Sequence, residues 1–160
     1  MEYIFDTNIF IRSKNEMPVD IWPTFWTRIA ELIRDGKISS SIKVKDEIDR
    51  GGDELTEWMR NNTGNDFYIP IDKDILDKYG VVQNWANAEP RFRATAKTEF
   101  ATVADAYLVA TAAAKKLTLV TYETSDPVCT KRVKIPDACI ALGVSYCDLN
   151  TALRHLGVVI

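Results

Sequence analysis

Four acidic residues stand where metal chemistry could use them. Asp6 closes the apolar run Tyr3-Ile4-Phe5. Glu47 follows Val44 by three and precedes Ile48. Asp105 ends Thr102-Val103-Ala104-Asp105, and Glu123 lies two residues beyond Leu117-Thr118-Leu119-Val120-Thr121. Carboxylate oxygens without His or Cys partners are hard donors that suit Mg²⁺ or Mn²⁺ rather than Zn²⁺. Several carboxylates in one cleft repel each other, and a divalent cation resolves that repulsion. The single histidine, His155, is far in sequence from these acids and reads as a surface residue. Chemistry that needs an imidazole base has no other candidate. The three cysteines lack metal-type spacing.

Each acid also has an ordinary structural reading. Asp6 can cap a short helix over Ile9 to Arg12 or make an Asx turn. Glu47 can pair with Arg50 on a solvated face, while Asp46 and Asp49 point to solvent. Asp105 has the spacing of a capping box with Thr102. Glu123 has a rival in Asp126, and both can belong to a solvated loop; the position nearer the strand end favours Glu123.

The elements that must position these acids alternate. Tyr3-Ile4-Phe5 reads as a buried strand. Trp22, Trp26, Ile29, Leu32 and Ile33 give an apolar face to a helix from Ile21 to Asp35, stopped by Gly36. Lys37 to Ser40 reads as a strand, with Ser41 capping a helix that Gly51-Gly52 breaks. A further helix is expected over Glu54 to Arg60, an extended segment over Phe67 to Ile71, and a helix from Asp72 to Trp85. Residues 86–100 read as polar and irregular. Thr102 to Lys116 is an Ala-rich helix, and Leu117 to Thr121 a buried strand. Pro136 sits in the favoured first turn of a short helix, and Asp148 or Asn150 caps a last one through Leu156. This alternation implies an α/β domain with a mainly parallel sheet. Ligands of such sheets gather beyond the carboxyl ends of the strands, where Asp6 and Glu123 fall.

Composition sets the outer bounds. The chain has 160 residues, 46% hydrophobic and 27% charged, which suits one globular domain over residues 1–160. No apolar run approaches the roughly 20 residues that span a bilayer. The start MEYIFDTNIF lacks the basic and apolar regions of a secretion signal, and the odd cysteine count fits reduced thiols, so a cytoplasmic protein is expected. Net charge is −3, which argues against coating nucleic acid by bulk charge but leaves room for a local basic rim. Arg12, Lys14, Arg91, Arg93, Lys97, Lys115, Lys116, Lys131, Arg132 and Lys134 are mostly a solvated face from which some could contact phosphates. Tyr122 reads as a packed loop residue or a stacking partner for an unpaired base. Phe25, Trp22 and Trp26 read as core or as an interaction surface.

In order along the chain, Phe5-Asp6-Thr7-Asn8, Ser41-x-x-Val44-x-x-Glu47-Ile48, Ala104-Asp105-Ala106-Tyr107-Leu108-Val109-Ala110-Thr111-Ala112 and Leu119-Val120-Thr121-x-Glu123 resemble the four motifs of the PIN domain, the nuclease fold of VapC-type toxins. The tail from Lys134-Ile135-Pro136-Asp137 resembles a PilT-like branch of that superfamily. The resemblance implies a three-layer α/β/α fold and an Mg²⁺- or Mn²⁺-dependent endoribonuclease. Asp6, Glu47 and Asp105 match its three main acidic ligands. Glu123 matches the fourth acidic position, where PIN domains more often carry Asp. Thr7 and Asn8 match the polar residues that steady the ligand or the scissile phosphate. An RNA substrate, an antitoxin partner and a homodimer follow as family expectations. Residues 51–100 are longer than in compact toxins and form an atypical middle region.

Other classes fit less well. An aspartyl-phosphate phosphatase needs a second Asp two residues after the first, and that position is Asn8. Nucleotide-binding folds need a Gly-rich turn after the first strand, and no glycine precedes Gly36. The serious rival is a PIN fold that has lost activity and serves as a binding module; the intact set of Asp6, Glu47 and Asp105 argues against it.

Overall fold

The computed structural model describes residues 2–160. The sheet has five parallel strands: β1 (Tyr3–Phe5), β2 (Ile38–Ser41), β3 (Tyr68–Ile69), β4 (Thr118–Val120) and β5 (Tyr146–Cys147), in the order β3-β2-β1-β4-β5. Tyr3 pairs with Ile38 on one side and Thr118 on the other, and Phe5 with Val120. Both faces of β1 are covered, and Tyr3, Ile4 and Phe5 are all buried. A parallel strand flanked on both faces needs this kind of unbroken apolar run. The three-layer α/β/α architecture is the one expected. Strand order reverses direction between β1 and β4, which opens a crevice at their carboxyl ends.

The helices lie where the sequence pattern places most of them. After β1 comes α1 (Thr7–Glu16), longer than the Ile9–Arg12 turn expected. Next is α2 (Pro23–Arg34), whose Phe25, Trp26, Ile29, Leu32 and Ile33 are buried. Trp26 donates its indole N–H to the Met17 carbonyl at 2.6 Å and packs edge-on against Trp58. Trp26 and Phe25 thus belong to the core, while Trp22 is exposed. Gly36 takes φ +68 after α2, a conformation that costs a side chain energy. Ser41 ends β2 and caps α3 (Ile42–Gly51) by accepting from the Lys43 amide at 3.1 Å. Two more helices follow before the carboxyl half, α4 (Glu54–Asn62) and α5 (Lys73–Ala88), both opened by Asp caps, Asp53 and Asp72.

Two expectations are corrected, and one strand is added. Residues 86–100 are not irregular: Ala94–Thr102 form a helix, α6. Its buried positions are only Ala96 and Phe100, four apart, and Arg93 supplies no side-chain cap, so the segment shows little apolar period. The helix expected from Thr102 begins at Asp105, as α7 (Asp105–Lys115). The Thr102 capping box does not form; that hydroxyl donates to the Glu99 carbonyl at 2.9 Å instead, and Val103 turns the chain between the two helices. The short strand β5, Tyr146–Cys147, was not expected at all, because two residues leave no alternation to read. The chain closes with α8 (Ile135–Leu142), carrying Pro136 in its first turn, and α9 (Leu149–His155), where Asp148 rather than Asn150 is the cap, bonding the Thr151 amide at 2.8 Å.

Candidate metal centre

The crevice between β1 and β4 collects all four acids. Asp6 is the first residue beyond β1, and its backbone amide still bonds the Val120 carbonyl of β4 at 3.0 Å. That last rung of the ladder fixes its direction. Its carboxylate is 1% exposed. It stands at the N-cap position of α1 without an aligned side-chain cap, and the nearby Asn8 amide only partly favours its charge. Thr121, the residue after β4, donates its hydroxyl to Asp6 Oδ2 at 3.0 Å. The same hydroxyl accepts the Glu123 amide at 3.1 Å, so one threonine joins the ends of both strands. Asp6 Oδ1 is buried without a hydrogen-bond partner. A buried carboxylate oxygen left unpaired costs free energy unless another ligand meets it.

Glu47 reaches the same crevice from α3. It does not pair with Arg50. One oxygen accepts the Thr7 hydroxyl at 2.9 Å, and the other accepts the Ala104 amide at 2.8 Å. It therefore caps the start of α7 across three elements, doing what Thr102 was expected to do. Asp46 is exposed as expected, but Asp49 is half-buried and pairs with Lys45 at 2.6 Å. Asp105 stands in the first turn of α7. Glu123 hangs from the loop after β4, with Oε2 accepting the Ile135 amide in the first turn of α8 at 2.9 Å. Asp126 faces away: its own carboxylate caps the Val128 amide, and its backbone amide is bound by buried Asp137 at 3.1 Å.

Charge crowding shows in the proton affinities. Asp6 is pushed up to about 7, first by burial and next by the Glu123 charge, against the opposing Thr121 hydrogen bond. Asp105 is pushed up to about 8, first by burial and then by Asp6 and Glu123. Both lie well above the ordinary Asp value near 4.

Two residues of the site carried no sequence signal of their own. In the sequence Thr121 is only the last residue of a strand and a position of the fourth motif, with no role of its own. Arg132 was one of many cations assigned to a solvated face. Its guanidinium lies 2.7 Å from Glu123 Oε1 and 3.7 Å from Asp105 Oδ2, so a cation already stands among the carboxylates. The Glu123 contact is off the line an N–H bond requires, since Oε1 has no aligned hydrogen-bond partner. Tyr122 is a packed loop residue: its hydroxyl meets Ser13 at 3.0 Å, and Arg12 covers its ring. His155 is outside the site, bonded to Tyr3 at the opposite end of β1.

The donor set fits a hard divalent cation: carboxylates only, two buried oxygens without an aligned hydrogen-bond partner (Asp6 Oδ1 and Glu123 Oε1), and mutual repulsion. As the side chains stand, with Arg132 between them, no three of the described residues converge closely enough to hold an ion.

A family model described as "Domain of unknown function (DUF4411)" matches residues 3–160. The chain belongs to this family. No curated protein matches. Among solved structures, this DUF4411 chain is similar to a chain in the crystal structure of VapBC2 from Rickettsia felis bound to a DNA fragment from their promoter. The TM-score is 0.54 at 17% identity, covering 92% of this chain and 98% of that chain. A likeness at that identity concerns the fold, which is PIN-like. No described helix of the DUF4411 chain is long and apolar enough to cross a membrane.

Proposed function

We propose that the crevice is the active site of an Mg²⁺- or Mn²⁺-dependent endoribonuclease acting in the cytoplasm as the toxin of a toxin–antitoxin pair. The observation that carries this reading is the unpartnered, buried Oδ1 of Asp6, whose carboxylate is electrostatically coupled to Asp105 and Glu123. In this reading Asp6, Asp105 and Glu123 hold the cation. Glu47 joins them by exchanging its Thr7 hydrogen bond for the ion. A bound divalent ion supplies an activated water and neutralises charge on the scissile phosphate. Thr121 fixes the direction of Asp6 and keeps Glu123 beside it. Thr7 holds Glu47, and exposed Asn8 is the side chain free to meet the phosphate. An RNA strand, an antitoxin and a second copy of the chain are the proposed partners.

Arg132 favours a second reading, an inactive PIN-fold binding module whose internal cation has replaced the metal. Failure of the wild-type chain to bind Mn²⁺ would favour it. Induced expression in a bacterial host tests the toxin role: growth arrest with wild type and normal growth with Asp6→Asn support it. Equal growth of both strains contradicts it.

A further inference from the structure

Arg132 has a place that ordinary surface charges do not have. Its neighbours Lys131 and Lys134 make no ion pair within the described residues, whereas Arg132 points inward to Glu123 and Asp105. It sits on the 121–134 connection, which contains neither helix nor strand, and its side chain keeps 44% of its surface in solvent. The two carboxylates it meets are nearly buried, at 10% and 14%. A half-exposed guanidinium set against buried carboxylates is a counter-ion that can leave without taking the core with it. It neutralises only part of the cluster, because Asp6 Oδ1 stays unpaired.

We propose that Arg132 is the resident counter-ion of the crevice and that the divalent cation enters by exchange with it. This rests on the metal-site reading above and adds its regulation: the chain competes internally for its own site. In the metal-free state the arginine occupies the Glu123 and Asp105 oxygens that the ion would take. On loading, the side chain swings toward solvent and the carboxylates converge on the ion. The 121–134 connection carries the arginine and Glu123 together, so both ends of the exchange lie on one segment.

The test is calorimetric titration of Mn²⁺ into wild type, Arg132→Gln, Arg132→Lys and Lys131→Gln, with thermal denaturation of each metal-free protein. Lys131 is exposed, so its variant reports the long-range effect of removing one positive charge. Arg132→Gln is expected to bind Mn²⁺ on the order of 5-fold more tightly than wild type, the scale of one partly exposed ion pair. Its metal-free form should melt at a lower temperature, because the carboxylates lose their counter-ion. Arg132→Lys should fall between the two, since lysine keeps the charge but loses the planar fork. Lys131→Gln should stay within about 2-fold of wild type. Equal tightening in Lys131→Gln and Arg132→Gln, or no tightening in Arg132→Gln, overturns the exchange while leaving the metal site standing. Absence of Mn²⁺ binding by all four proteins overturns the exchange together with the reading it rests on.

Discussion

Asp6 and Asp105 hold their protons to about pH 7 and about pH 8, where an unfolded Asp loses its proton near pH 4. Between those limits the folded chain binds more protons than the unfolded chain, so metal-free stability falls as pH rises from about 4 toward 8. The charges that face these two carboxyls are Glu47, Glu123 and Arg132, and only the arginine opposes the trend. Thermal denaturation in EDTA should give a lower midpoint at pH 8 than at pH 5. Asp105→Asn should flatten that slope, because the amide does not ionise. A midpoint that rises between pH 5 and pH 8 contradicts this account of the crevice. At this scale the sequence was informative about Asp6, because an acid directly after Tyr3-Ile4-Phe5 must lie at the end of a buried strand. It was silent on Arg132, because nothing in Lys131-Arg132-Val133-Lys134 separates an inward cation from solvated neighbours.

At the scale of elements, the junction between α6 and α7 depends on Glu47. Local spacing suggested that Thr102 would cap the long helix, yet the cap comes from α3, 57 residues away in the chain. A cap supplied across that distance leaves no local pattern. Glu47→Ala removes both the Ala104 amide contact and the Thr7 contact. It should destabilise the protein by about 1–2 kcal/mol in urea unfolding. Glu47→Gln keeps an acceptor and should lose less. A Glu47→Ala loss below about 0.3 kcal/mol would show that the junction is held by packing alone. The same non-local logic explains α6. Its backbone is anchored by the Arg93 amide on the Thr130 carbonyl and by the burial of Ala96 and Phe100, none of which forms a helical stripe in the sequence. By contrast α2 was largely legible: Trp26, Ile29, Leu32 and Ile33 are buried at helical spacing as expected, though Phe25 takes the place expected for the exposed Trp22.

For the whole molecule, the alternation of strands and helices was enough to expect a parallel sheet, but not its order. That order is what matters for function. Reversal between β1 and β4 places Asp6 and Glu123 at adjacent strand ends, and α3 and α7 bring Glu47 and Asp105 over the same crevice. The most direct measurement of the central claim is cleavage of a 5′-labelled, unstructured RNA by the purified chain in Mn²⁺, in EDTA, and with Asp6→Asn. The account predicts internal cleavage in Mn²⁺ alone, abolished by EDTA and reduced at least 100-fold by Asp6→Asn, the order of effect expected when a group that stabilises transition-state charge is removed. Cleavage that survives EDTA, or that Asp6→Asn leaves intact, would contradict it.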